Sequence, residues 1–297
     1  MLTVGEVIEK LRAASDDAWQ ESKIDGILSG DEKTEAKGVA VVWSPSISAL
    51  KKAAADGCNL VLVKDPLYWS EPEMPKTLSP STVSFFQEGT AGPTAANAAE
   101  ATDLAKLKRN LVDSLELNVV RISAGWEGKR SNALLGLLNA LDWKEGISFV
   151  ADAALPNTKT TVIRVPQQSL IDLAGYAKTH LNARSVRVLG DRGAKVSTVA
   201  VHPGYLTIKG ATRIGTEKNL DVVLTGESCE WEGFEYFEDW ISAGHGKGMV
   251  MVGLAVTSDA AAREFASWAQ GVLTGTKVKS IAVGDPFTPI HAGGLRA

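Results

Sequence analysis

The sequence predicts an α/β protein, and three observations carry that prediction. Short apolar runs, "GVAVVW" (38–43), "NLVLV" (59–63) and "LDVVLTGE" (220–227), are bounded by turn residues and read as buried strands. Between such runs lie segments with apolar residues at helical spacing, as in "ISALKKAAADG" (47–57). Their alternation is the order of parallel strand–helix–strand units. At 297 residues the chain has room for a sizeable core, as one large domain or two.

The elements follow in order. Val4, Val7, Ile8, Leu11 and Ala14 place an amphipathic helix over 3–19. After the strand at 38–43, Ser44 or Ser46 caps the helix at 47–57 and Gly57 ends it. The second strand, 59–63, runs into Lys64, Asp65 and Pro66, followed by Tyr68 and Trp69. Residues 70–99, rich in Pro, Ser, Thr, Ala and Gly, read as a long excursion or lid. A helix at 101–117, the strand "NVVRIS", the loop "AGWEGKRSN" and a short apolar helix, "ALLGLLNALDW", come next. A polar break at 152–160 precedes the helix "QQSLIDLAGYAKTHLN" and the strands "SVRVLGD" and "KVSTVAVHPG". The last third reads as the strand at 220–227, a helix at 235–246, and a strand at 248–257 ending on Ser258-Asp259. A helix at 261–273 and a final strand, "KVKSIAVGDPF", close it. The outer portions, 1–145 and 221–297, are expected to form one α/β unit, with 146–220 inserted between them.

Composition excludes several classes. The formal net charge of −4 lacks the basic excess of a nucleic-acid binder. No run of 18 apolar residues predicts a membrane span, and the acidic, amphipathic N-terminus does not read as a signal peptide. Two distant cysteines, Cys58 and Cys229, are expected as free thiols, and a cytoplasmic location follows. The four histidines, His180, His202, His245 and His291, show no HxxxH or HxxE spacing, which argues against a histidine-rich zinc site.

Candidate chemistry gathers at strand ends, where α/β proteins hold ligands. Asp65 is placed to hold a metal or orient a polar substrate, or else is simply the acid of an Asp-Pro turn. Glu227 follows Gly226, which permits close backbone approach to a ligand. Glu230 and Glu232 read as a solvated first helical turn. Tyr68, Trp69, Trp126 and Trp231 follow strand ends, where they line a cleft or an interface between subunits. The glycines of "SAGHGKG" follow a helix instead of opening one, so they do not read as a phosphate loop.

The order of these pieces resembles the Nif three-like family, described also as dinuclear-metal-centre hexameric proteins and as GTP cyclohydrolase I type II homologs. "KIDGILSGDEKTEAKGVAVVWSPSISALKKAAADGCNLVLVKDPLYW" is similar to the family's opening, and "DVVLTGESCEWE" with "GMVMVGLAVTSD" to its closing portion, with "AVGDPF" near the end. The resemblance implies a Nif three-like fold of two related α/β halves around a central cleft, a homohexamer, and two divalent metals held by histidines and carboxylates. The chain departs from that pattern where the ligands belong. The family's His-His or His-Glu pair falls on Lys64 and Asp65, its closing histidine on Leu254 and its glutamate on Ser258, beside Asp259. Its central histidine–aspartate region falls on "RISAGWEGKRSN", where Asn132 stands in an aspartate's place. Lys64, Asp65, Trp126, Asn132, Glu227, Ser258 and Asp259 are therefore the expected cleft residues. No cofactor or metal is expected, and an unknown small molecule is the expected partner beside self-association. The alternative is a metal-dependent, cyclohydrolase-like hydrolase with an altered site, in which Asp65 and Glu227 hold a divalent cation or Lys64 acts as base or nucleophile.

Overall fold

The computed structural model describes residues 1–15, 19, 25–68, 103–127, 131–143 and 160–290. Trp69, the 70–99 excursion and His291 lie outside the described residues. The chain divides into two compact units, Met1–Asn132 with Ala262–Val283, and Ala133–Ala261 with Gly284–Ala297.

The first unit opens with helix α1 (Val4–Ala13). Thr3 Oγ1 accepts from the Glu6 amide at 3.2 Å and the Glu6 carboxylate accepts from the Thr3 amide at 2.8 Å, a reciprocal capping box. Strands β1 (Gly26–Ser29), β2 (Val39–Val42), β3 (Leu60–Val63), β4 (Asn118–Arg121) and the late strand β10 (Val278–Ser280) form one sheet in the order β1-β4-β3-β2-β10. All neighbours are parallel except β1, which runs antiparallel to β4 at the edge. Helix α2 (Ile47–Ala55) crosses from β2 to β3, and its N-cap is Ser46, whose hydroxyl accepts from the Ala49 amide. Gly57, at φ +78°, lets the chain turn out of that helix into β3.

Every residue of β2, β3 and β4 is buried, as expected for parallel strands covered on both faces. Ala40, Val42, Leu50, Ala53, Val61, Val63 and Val112 belong to one core cluster. Helix α3 (Asp103–Ser114) carries Lys108, which is 2% exposed and whose Nζ donates to the Leu67 carbonyl at 2.5 Å. After β4 comes the short helix α4 (Ser123–Glu127), whose Trp126 stacks on Phe265 at 5.6 Å between centroids.

The second unit takes helix α5 (Asn132–Ala140) at its start and then strand β5 (Thr161–Ser169), helix α6 (Leu170–His180), and strands β6 (Arg187–Gly190) and β7 (Lys195–Leu206). Helix α7 (Ile208–Ile214), strand β8 (Val222–Ser228), a π-helical turn (Glu230–Phe234), helix α8 (Glu235–Ser242), strand β9 (Gly248–Met251) and helix α9 (Leu254–Val272) follow. The sheet order is β5-β7-β8-β9-β6, with β7, β8 and β9 parallel and both outer strands antiparallel. Side chains alternate between two cores: Val222, Leu224 and Val250 enter one, and Val223, Met249 and Met251 the other.

Several elements differ from the sequence prediction. The strand expected over 248–257 stops at Met251, because Gly253 takes φ +103° and Leu254 begins α9. Ser258 and Asp259 consequently lie inside a helix, not at a strand end. The final strand shrinks from 277–287 to Val278–Ser280. Segment 146–220, read as an insertion, supplies β5, β6 and β7 to the second sheet. Strands β1 and β5 and helix α7 were not expected at all. β5 escaped notice because Pro166 interrupts its apolar pattern; the pairing with β7 shifts register between Arg164 and Gln168, where an edge strand tolerates a proline.

Two outcomes follow from this packing. Leu62→Ala removes a fully buried side chain from the middle of β3 and is expected to cost about 2–5 kcal/mol by denaturant titration. Burial pushes the Lys108 ammonium down to about 8, so the cost of holding its charge is full below pH 8 and fades between 8 and the unfolded value. Lys108→Met is therefore expected to raise Tm at pH 7 by about 2–5 °C, a gain that shrinks toward pH 10.5. A gain independent of pH would exclude the desolvated charge as its cause.

Candidate functional site

In the first unit, the carboxyl ends of β2, β3 and β4 bring three charged groups together. The Trp43 carbonyl at the end of β2 accepts from the backbone amides of Lys64 (3.2 Å) and Asp65 (3.0 Å), which fixes the turn leaving β3. Lys64 Nζ stands 3.8 Å from Asp65 Oδ1, and both side chains are about one-third exposed. Arg121, paired with Val63 in the ladder and 5% exposed, donates its Nε to the Lys64 carbonyl at 3.2 Å. Burial pushes the Asp65 carboxyl up from its ordinary value, while the Lys64 and Arg121 charges pull it down; burial wins.

Trp126 and Asn132, expected to line a cleft, are built into the interior. Trp126 is 1% exposed in its stack with Phe265, and Asn132 is 3% exposed with Nδ2 donating to the Trp126 carbonyl at 3.4 Å. Tyr68 lies beneath the Arg109 guanidinium, 5.0 Å from its ring centroid.

The second unit carries its own strand-end cluster. Gly226 in β8 packs so closely against the Gly204 carbonyl and the Thr257 hydroxyl that a Cβ there would overlap both. Thr257 Oγ1 accepts from the Gly204 amide at 3.1 Å and donates to the Leu254 carbonyl at 3.0 Å, tying the first turn of α9 to the end of β7. Asp259 is 6% exposed and accepts from the Gly284 amide at 2.8 Å, so its carboxylate anchors the chain after β10. Ser258 is buried beside it. Glu227 is exposed and sits opposite Tyr205 in the parallel register.

Sequence reading missed the pairing of Tyr205 with Cys229, hydroxyl to sulfur at 2.6 Å. Burial, the contact with Cys229, and the Glu232 and Glu227 carboxylates all push the Tyr205 phenol up, so it keeps its proton beside the sulfur. Cys229 therefore has a phenol for a neighbour and not the imidazole of a thiol–histidine pair. His202 is committed at both nitrogens: Thr160 Oγ1 meets Nδ1 at 2.6 Å, and Nε2 donates to the Tyr205 carbonyl at 3.2 Å. Glu230 and Glu232 lie in the π-helical turn in place of an α-helical first turn, and Glu230 pairs with Arg187 at 2.6 Å. Trp231 is 55% exposed.

Lys64 and Asp65 thus belong to the first unit, and Glu227, Ser258 and Asp259 to the second. Among the described residues, no three His, Cys, Asp or Glu side chains gather in a way that holds a metal ion. None of their helices is long and apolar enough to cross a membrane. Arg121 was the detectable omission: a charged residue closing a wholly buried strand is a signal the sequence carries.

Known structures decide the fold. A Bacillus cereus protein related to NIF3 matches over 97% of this chain and 99% of its own, with a TM-score of 0.70 at 12% identity. A Staphylococcus aureus hypothetical protein matches over the same shares, at 0.67 and 16%. The chain has the NIF3-like fold. Reduced HcgD from Methanocaldococcus jannaschii shares it too, over 94% of this chain and 97% of its own, with a TM-score of 0.60 and 18% identity. No family model and no curated protein matches the sequence. The NIF3-like fold was therefore legible from the order of elements.

The charge balance at β3 has a measurable consequence. A carboxyl raised in the folded state costs stability above its folded pKa, and that cost disappears as pH falls through it. Asp65→Asn is expected to raise Tm at pH 7 by about 1–3 °C, with the gain absent at pH 3. An unchanged or lowered Tm at pH 7 would mean that the ion pair with Lys64 outweighs burial.

Proposed function

We propose that the protein is a divergent member of the NIF3 superfamily that binds a small molecule, or serves as an oligomeric scaffold, without a dinuclear metal centre. The observation that carries this reading is the ammonium of Lys64, 3.8 Å from Asp65, with the Arg121 guanidinium acting on the same carboxylate. A dication drawn to Asp65 meets two resident cations. At about 4 Å and an effective dielectric near 20, a unit positive charge opposes a dication by roughly 8 kcal/mol, twice the value for two unit charges. The donor chemistry agrees. Lysine offers no lone pair while protonated, guanidinium offers none at all, and His202 has both nitrogens engaged within the protein. The residues present do not fit two divalent metals, and no catalytic step is routed through them. Self-association into a hexamer, as the family resemblance implies, belongs to the same proposal.

The test is metal content per subunit by mass spectrometry, on protein purified without chelator or nickel affinity, alongside native mass. Below about 0.1 equivalent of zinc, iron or manganese is the expected result. Near two equivalents would overturn the reading and favour a metal-dependent hydrolase of the GTP cyclohydrolase I type II homolog kind.

A further inference from the structure

At the amino-terminal edge of its parallel ladder, opposite the edge that carries Lys64, the first unit holds a cleft of about 890 Å³, a volume suited to a small molecule. Two asparagines fix its wall. Asn118, 3% exposed at the start of β4, accepts from the Asp31 amide at 2.9 Å and donates to the Asn59 carbonyl at 3.3 Å. Asn59, just before β3, accepts from the Lys37 amide and donates to the Glu35 carbonyl, each at 2.8 Å. Gly30 packs so closely on the Asn118 carboxamide that a Cβ would overlap it. Segment 30–37 is thereby pinned to the starts of two buried strands.

The lining has one electrostatic character. Asp31, Glu35, Asp113 and Glu116 face one basic residue, Lys37, among the described residues. None of the four carboxylates makes an ion pair there. Lys277 and Lys279 act on Cys58 in the wall, but neither lines the cleft, and Lys279 pairs with Asp56. Helices α2 and α3 both point their carboxyl ends at the cleft, through Ala54 and through Val112 and Asp113. A helix carboxyl end carries partial negative charge and is stabilised by cations. Yet α3 has no basic residue in its last turn and places Asp113 there. Glu116 follows at φ +51°, a left-handed position that glycine takes at lower cost. Acids therefore stand where the dipole and the backbone both disfavour them, a local conflict of the kind that functional sites retain.

We propose that this cleft binds an organic polycation, a small molecule carrying two or more ammonium groups on an apolar chain. Its charges offset the carboxylates and the two helix ends, and its chain lies against Ala54, Val112, Leu115 and Leu117. A compact metal ion is the poorer match, because no three acidic side chains among the described residues gather closely enough to hold one. The site is separate from Lys64 and Asp65 and stands whether or not the protein carries metal.

The probe is spermidine, titrated calorimetrically into the full-length protein at constant ionic strength, with magnesium as the control cation. Saturable binding at about one equivalent per subunit is expected, with magnesium weaker by about tenfold or more. Asp113→Asn should weaken spermidine binding by about threefold to tenfold. The same variant should leave Tm equal or higher, since it removes a charge that the end of α3 disfavours; a merely damaged fold would lose both. Lys37→Gln should tighten binding by several-fold, the opposite sign for the opposite charge. Chelation should change nothing, which keeps this result independent of the metal analysis. Absence of saturable spermidine binding, magnesium binding as tightly, or indifference of the affinity to both Asp113→Asn and Lys37→Gln would overturn the proposal.

Discussion

Everything in the first unit depends on the complete burial of the parallel ladder β2–β3–β4. With every side chain in those strands removed from water, the backbone must satisfy its hydrogen bonds within the sheet, and polar side chains can emerge only where the strands stop. That constraint concentrates Lys64, Asp65 and Arg121 at one edge. It also explains why a buried strand runs directly into a lysine and an aspartate: the ladder leaves them no other place. The Trp43 carbonyl then holds both amides, so the two side chains leave a fixed turn and not a loose loop.

The second unit obeys the same constraint with different chemistry. Its parallel strands carry glycines near their carboxyl ends, at Gly204, Gly226 and Gly253, so backbone and hydroxyl groups meet closely there. Gly204 and Gly253 both adopt positive φ: Gly204 lies inside β7, where the register with β8 shifts between His202 and Tyr205, and Gly253 turns the chain off the end of β9. The carboxylates there include Glu227, which is exposed, and Asp259, which accepts from the Gly284 amide. Two sheets of similar plan thus present dissimilar edges, one electrostatic and one built from close-packed backbone.

Much of the architecture was legible because buried strands and amphipathic helices write their periods into the sequence. The β2–α2–β3 unit, with Ser46 as cap and Gly57 as exit, could be read almost to the residue. Failures have physical causes. β1 is a four-residue edge strand with no buried residue in its pattern, and β5 is broken by Pro166, so neither shows the apolar run that marks its neighbours. Leu254 to Val256 read as a continuation of β9 because β-branched and aliphatic residues serve both periods, and only the left-handed Gly253 separates them. At the sites, Lys64 and Asp65 were visible from their place after β3. The interior positions of Trp126 and Asn132, and the contact between Tyr205 and Cys229, depend on neighbours remote in sequence that no local pattern encodes.

The pairing of β10 with β2 has a consequence for the order in which the molecule can be made. β2 is synthesised more than 230 residues before its parallel partner, Val278–Ser280. The five strands of the second sheet lie in one continuous stretch, from Thr161 to Met251. On a ribosome the second sheet is therefore the first that can close, and the N-terminal sheet must wait with an open edge at β2. An apolar strand edge held open through the translation of more than 230 residues is a template for mispairing. The chain thus reverses the usual N-to-C order of domain completion, and its nascent form asks more of chaperones than its finished topology suggests.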